Sequence, residues 1–436
     1  MSPPFIKSQK TDINSGKSFK SPENNPKILL VGYNGANNTG SEARLLAIIE
    51  DVKEVLGADV QITVPTLNEK NLRRYLKEES GIHIVSIPSI FFWAARKLVN
   101  EHDLVMLVEG SCYMDSWTSA LLWAFLYTTR CAHSAGVPCI AYAVDSGKLS
   151  KFNKYLVKKE ASKTDLIITR TKRAVEELKS LDITVPMEIT ADCAFNFKVE
   201  DEDENILLKK WPETESAGVV GLAVVDFYLW PVVIRPWGKK KYEYRWPYYF
   251  SRSRGRREKS GGLAKSWAKT ADHLIKKSGK NVALICMEDV DQPLAQNILD
   301  KMENSDKSRI FSSSELNASQ MTHVLRSLDL LVTSRYHAGV LSLESKVPQI
   351  AVGHDTRLKG LYEELKLPND YLIDCYSPHM WTNLQKKVDH LLENSDEIQK
   401  IREILNQGYQ EHLNRSLENR KFLREFLTDR GWTVKS

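Results

Sequence analysis

Short, mostly apolar runs alternate with longer amphipathic stretches along nearly the whole chain. In the first half these runs are Lys27–Val31, Leu104–Val108 and Asp165–Thr169; in the second they are Gly218–Val225, Val282–Met287, Arg309–Ser312, Leu330–Thr333 and Gln349–Val352. Strands of a parallel sheet are covered on both faces, so they read as continuous Val, Ile and Leu rather than as an in-out alternation. Between them apolar residues recur at three- and four-residue spacing, as in the stretch that ends near Leu56 and in Thr171–Ser180, which predicts helices. Repeated strand-helix alternation predicts an α/β protein with parallel sheets covered by helices on both faces.

Length divides this pattern in two. A chain of 436 residues exceeds the usual size of one compact core, and 42% hydrophobic content can fill two. The expected domains are residues 25–200 and 216–392, two doubly wound, Rossmann-like units facing each other. Residues 201–215, with the acidic run Glu200–Glu204 just entering them, read as an exposed connection. Residues 1–24, rich in Ser, Lys, Asn and Pro, read as a disordered tail. Within the C-terminal segment 393–436, Asp396–Phe426 has helical periodicity and many charges, and is expected to be a long surface helix reaching back towards the first domain.

Candidate chemistry falls at strand ends, where open α/β sheets bind ligands and helix N-termini attract anions. The run Asp329–Thr333 passes through Ser334 into Arg335-Tyr336-His337-Ala338-Gly339. Arg335 can grip a carboxylate or phosphate bidentately, and His337 can act as acid or base near neutral pH. Lys27–Val31 leads into Gly32-Tyr33-Asn34-Gly35-Ala36-Asn37-Asn38-Thr39-Gly40-Ser41-Glu42, a tight turn before a helix that Ser41 can cap. It carries neither a P-loop nor a dinucleotide-binding glycine pattern. Further strand ends carry Glu109-Gly110-Ser111-Cys112-Tyr113-Met114-Asp115 and Arg170, and Thr190-Ala191-Asp192-Cys193-Ala194-Phe195 suggests a structural Asp192.

These segments, together with the strand Val347–Val352 and the turn Gly353-His354-Asp355-Thr356-Arg357, resemble the polysaccharide pyruvyltransferase family. The family often has Pro and Lys where this chain has Thr356 and Arg357, and only Gly110 survives of its glycine-rich turn. The resemblance implies a GT-B-like architecture and transfer of a pyruvyl group from phosphoenolpyruvate to a sugar hydroxyl pair, forming a cyclic ketal in a polysaccharide or lipid-linked glycan. His337 and Arg335 would be catalytic; Arg170, Arg335, Tyr336, His337 and Arg357 would hold the donor. Asn34, Gly35, Asn38, Gly40, Gly110 and Asp115 would face the acceptor. Phosphoenolpyruvate is the donor substrate, and no cofactor is implied. Two alternatives remain open: a GT-B-like glycosyltransferase using a nucleotide-sugar, and a non-catalytic carbohydrate-binding relative.

Charge changes the picture at one place. Residues 235–259 hold ten Lys or Arg against two Glu, a net of +8 within a chain of +5, interleaved with seven aromatics. Such a segment suits an anionic membrane surface or a lipid-linked acceptor; no nucleic-acid-binding module is recognisable beside it. The six cysteines have no Cys-x-x-Cys spacing and read as reduced core residues, and the ten histidines form no ligand pair, so no metal is expected. With no apolar run long enough to span a bilayer, the expected location is the cytoplasm, peripheral to the inner face of the membrane through 235–259.

Overall fold

A computed structural model describes residues 25–435 apart from 80, 230, 231, 241, 242, 252, 354 and 355. Residues 1–24, expected as a tail, and His354 and Asp355 therefore lie outside the described residues. The first sheet comprises β1 (Lys27–Val31), β2 (Gln61–Thr66), β3 (Ile82–Ser86), β4 (Leu104–Leu107), β5 (Cys139–Val144), β6 (Leu166–Thr169) and β7 (Met187–Ile189). All are parallel, in the order β3-β2-β1-β4-β5-β6-β7. The apolar runs are buried as their composition requires: every residue of β4, β5 and β6 is buried.

The second half repeats this plan. Following β8 (Val219–Ala223), a small antiparallel sheet of β9 (Val232–Ile234), β10 (Glu243–Arg245) and β11 (Tyr248–Phe250) interrupts the winding. Then β12 (Asn281–Cys286), β13 (Ser308–Ser312), β14 (Leu330–Thr333), β15 (Gln349–Gly353) and β16 (Leu372–Asp374) complete a parallel sheet ordered β13-β12-β8-β14-β15-β16. In both sheets strand order reverses beside the first strand, between β1 and β4 and between β8 and β14. Loops leaving the carboxyl ends of such neighbours diverge and open a crevice.

One expectation needs correction. The connection 201–215 is not a bare exposed linker, because it folds into short helical turns, with Leu207 and Trp211 buried and Trp211 against Phe311 at a ring separation of 6.2 Å. A Leu and a Trp in an acidic stretch are worth more buried than the acids are worth exposed. The expected long C-terminal helix is Ser395–Thr428, and one side of it is buried. Its buried side crosses back to the first domain, where Asn419 bonds Thr190 (2.6 Å) and the Ala191 carbonyl (3.1 Å), and Arg415 bonds the Thr190 carbonyl (2.6 Å).

Candidate functional site

The helix Thr39–Leu56 begins two residues before Ser41. Asn38 is its N-cap, accepting from the Ser41 amide at 3.1 Å, so Ser41 is not the cap. This frees the Ser41 hydroxyl to donate to Glu109 at 3.2 Å, across the β1/β4 crevice. The loop itself is pinned from inside: the Asn34 side chain donates to Leu30 and Pro65 carbonyls (3.2 and 3.4 Å), and Gly35, at φ 74°, donates its amide to Tyr75 at 3.1 Å. A positive φ at Gly35 avoids the cost a side chain would meet there.

Opposite this loop stand the ends of β12 and β14. The Thr39 amide donates to the Met287 carbonyl (2.9 Å), Asn37 donates to Asp289 (2.6 Å), and Tyr33 reaches Glu288 (3.3 Å). These bonds close the seam between the domains. Above them the small sheet forms a roof: the Tyr248 hydroxyl donates to the Ser89 carbonyl at 3.0 Å, and Arg245 bonds the Leu67 carbonyl. Segment 235–259 is thus partly structural, shared between this sheet and the helix Arg254–Ser278.

Between roof and seam lies a cavity of about 380 Å³. The first domain lines it with the loop 31–38, Gly40, Ser41 and Glu109; the second does so with Glu288, Asp289, Arg335, Tyr336, His337 and Arg357. Cations from the second domain and carboxylates and hydroxyls from both converge on it, as a site for a small polar ligand requires.

His337 sits at the centre of this seam. Its imidazole is so close to the first domain that a Cβ on Gly40 would lie 2.0 Å from Nδ1. Its Nε2 lies 3.4 Å from Asp192 Oδ2, longer than a well-formed hydrogen bond. Asp192 is wholly buried and receives Arg44 (2.6 Å), Arg170 and the Ala194 amide (3.0 Å). Burial alone would raise its pKa, but the Arg44 and Arg170 guanidiniums hold it well below the usual carboxylate range. Burial conversely lowers the His337 pKa against the pull of Asp192, which favours the neutral imidazole at neutral pH.

Arg335 is less open than its sequence position suggests. Its Nε bonds Asp291 at 3.0 Å, its Nη1 bonds Glu288 at 3.1 Å and its Nη2 bonds Asp291 again. Burial pushes the Asp291 carboxyl up to about 6 despite that guanidinium, and raises Glu288 as well. Arg335 still lines the cavity, and its remaining N–H groups are what it can offer a ligand.

The expected site residues separate into two groups. Asn34, Gly35, Asn38, Gly40, Arg335, Tyr336, His337 and Arg357 line the cavity. Arg170, Gly110 and Asp115 do not. Arg170 is fully buried behind Tyr336, its guanidinium 4.6 Å from that ring, and it bonds Asp145 (3.2 Å) and Asp192. It positions Tyr336 and Asp192 and does not touch the cavity. Gly110 is small because Arg170 passes there: a Cβ would lie 2.7 Å from its Nη1. Asp115 bonds the Ser150 amide and Asn153 (2.8 and 2.7 Å), which ties down the helix Lys151–Ala161. A strand-end Arg with carboxylates 25 and 22 residues away finds them in the core before it finds a ligand. Sequence reasoning missed Arg44, Glu288 and Trp117, whose ring lines the cavity under the Arg335 and Arg357 guanidiniums; none of these stands out from an ordinary helix or loop. It named Glu109 only as part of a turn, and it undervalued Asp192.

Among the described residues no group of His, Cys, Asp and Glu could hold a metal ion, and no helix is long and apolar enough to cross a membrane. The cysteines are free, with Cys112, Cys139, Cys193 and Cys286 buried.

No curated protein sequence matches the chain. Solved structures share its fold at low identity. Anabaena Alr3699/HepE, in complex with UDP-glucose, superposes with a TM-score of 0.56 at 11% identity over 93% of this chain and 100% of that one. The S. aureus MnaA–UDP structure gives 0.59 at 12%, over 92% of this chain and 97% of the other. UDP-GlcNAc 2-epimerase from Neisseria meningitidis, bound to UDP-GlcNAc, gives 0.59 at 10%, over 92% and 100%. These likenesses establish the GT-B architecture. The family described as Polysaccharide pyruvyl transferase matches residues 36–356, which span the loop 31–38 from Ala36 onward, the buried Asp192 cluster, Arg335 and His337. Two parallel sheets with facing crevices, and a family match over most of the chain, make this protein a member of the polysaccharide pyruvyl transferase family of enzymes.

Proposed function

We propose that the protein transfers a pyruvyl group from phosphoenolpyruvate to two hydroxyls of a sugar in a polysaccharide or lipid-linked glycan, giving a pyruvate ketal and phosphate. One observation carries the reading: Arg335 and His337, two residues apart beyond β14, meet the glycine- and asparagine-rich loop of the first domain across one cavity. The donor has a carboxylate and a phosphate, for which Arg357 and the outward N–H groups of Arg335 are suitable partners.

In this reaction the methylene carbon of the donor gains a proton, and the carbon beside it becomes electrophilic and accepts the first hydroxyl. The second hydroxyl then displaces phosphate. Of the two protons the hydroxyls lose, one balances that gained by the methyl group and one leaves with phosphate. His337 is the proposed proton donor. Because burial holds its pKa down, the negative charge of the donor raises that pKa as it binds, which couples proton uptake to donor binding.

Phosphate release from phosphoenolpyruvate, measured against a panel of lipid-linked and nitrophenyl glycosides, tests the proposal. Donor alone should raise the melting temperature by binding the folded state preferentially. A shift with a nucleotide-sugar and none with phosphoenolpyruvate would replace this reading with glycosyl transfer.

A further inference from the structure

The small antiparallel sheet does more than roof the cavity. Among the described residues ten large hydrophobic side chains are strongly exposed, and six of them belong to two segments only: Ile90, Phe92 and Trp93 in the first domain, and Ile234, Trp237 and Trp246 in or beside the small sheet. Trp93 is 82% exposed and Trp237 72%. Single exposed apolar residues are ordinary, but a concentration of this kind marks an interaction surface.

The two segments are held together. Tyr248 donates to the Ser89 carbonyl at 3.0 Å, next to Ile90, and in the sheet Tyr248 pairs with Ile234. The Arg235 amide bonds the Pro247 carbonyl at 2.9 Å, which brings the Trp246 turn beside the strand leading to Trp237. Exposed Arg96, Lys97, Lys239 and Lys240 flank these aromatics. Since residues 235–259 carry +8 in a chain of +5, the remainder sums to −3. The positive charge is thus concentrated in the segment that carries Trp237 and Trp246.

We propose that Ile90, Phe92, Trp93, Ile234, Trp237 and Trp246 form one face, built from both domains, that docks on an anionic lipid bilayer. Tryptophan is the side chain best suited to the headgroup level, having an apolar body and a polar N–H, and Lys and Arg beside it meet the negative surface potential. A protein partner would be expected to cover the aromatics without needing the concentrated charge; an anionic membrane uses both. Ser89, Phe91 and Tyr248 line the cavity directly beneath this face. Docking therefore presents the cavity to molecules carried in the membrane, and only this last consequence rests on the proposed glycan acceptor.

Sedimentation of the full-length protein with phosphatidylcholine vesicles, with and without phosphatidylglycerol, tests the proposal. The protein should pellet with the anionic vesicles at low salt and much less with phosphatidylcholine alone. Trp93→Glu combined with Trp237→Glu, at two well-exposed positions, should lower partitioning at least about 10-fold while the circular dichroism spectrum and melting temperature stay unchanged. Lys239→Gln with Lys240→Gln should lower it about 30-fold, at about a factor of five per basic residue. Phosphate release with a water-soluble glycoside should be unaffected in both variants, so absence of that activity would overturn the proposed reaction and leave the docking result standing. Failure of the wild-type protein to pellet, or equal pelleting of the double Trp variant, would overturn the docking face. So would a dimer in solution that the Trp substitutions dissociate, because the face would then belong to a second copy.

Discussion

Gly40→Ala isolates the contact on which the site is built. Gly40 is the second residue of the helix Thr39–Leu56, where replacing Gly by Ala ordinarily stabilises by up to about 1 kcal/mol. Here the new Cβ would lie 2.0 Å from His337 Nδ1, 2.3 Å from Cγ and 2.7 Å from Cβ, all well inside contact distance. Overpacking of this kind costs about 1–3 kcal/mol, so the clash should outweigh the propensity gain and leave a net loss near 1–2 kcal/mol. His337 has little room to retreat, because Asp192 and its two arginines stand behind it. His337→Ala removes the two ring contacts but leaves the 2.7 Å one, and His337→Gly removes all three. The cost of Gly40→Ala should therefore shrink in the first background and reverse sign in the second, a coupling of about 2–3 kcal/mol between directly touching residues. Urea midpoints at constant slope for the single and double variants measure this. An equal cost of Gly40→Ala in the wild-type and His337→Gly proteins would refute the seam geometry.

His337→Ala itself should retain phosphoenolpyruvate binding, read as a melting-temperature shift, while turnover falls by about 10²–10⁴-fold; near-normal turnover removes His337 from proton transfer. Arg335→Ala should abolish the donor-induced shift and, because it leaves Glu288 and Asp291 buried without their cation, cost about 3–5 kcal/mol in denaturant unfolding, whereas an unchanged midpoint would contradict the ion-pair cluster. Asp51, buried beside Tyr142, Asn196 and Arg420, has its carboxyl pushed up to about 7 by burial. A raised carboxyl stabilises below its unfolded value near 3.8, and that contribution is lost as pH rises through about 7, so Asp51→Asn should gain stability relative to wild type between pH 5 and pH 8. A relative stability independent of pH in that interval would be inconsistent with the buried, raised carboxyl.

Sequence alone determined the class of fold and where chemistry could sit. Strands such as β5 and β14 are legible because burial on both faces demands unbroken apolar residues, and that demand is local. The loop after β1 and the Arg335-Tyr336-His337 step are legible because strand ends are where backbone turns and polar side chains must appear. What the tertiary structure decided is which of those polar groups face each other. Arg170 and Arg335 look alike in sequence, yet Arg170 is spent on Asp145 and Asp192 in the core, while Arg335 keeps an edge on the cavity although Glu288 and Asp291 hold it. Glycines 40 and 110 look like turn residues, but each is small because a side chain from far along the chain occupies the space a Cβ would need. The basic segment showed its charge in composition; that it becomes a three-stranded roof joined to Ser89 depended on partners more than 100 residues away. Local patterning reports burial, whereas pairing between distant charges depends on how two separately wound sheets close on one another.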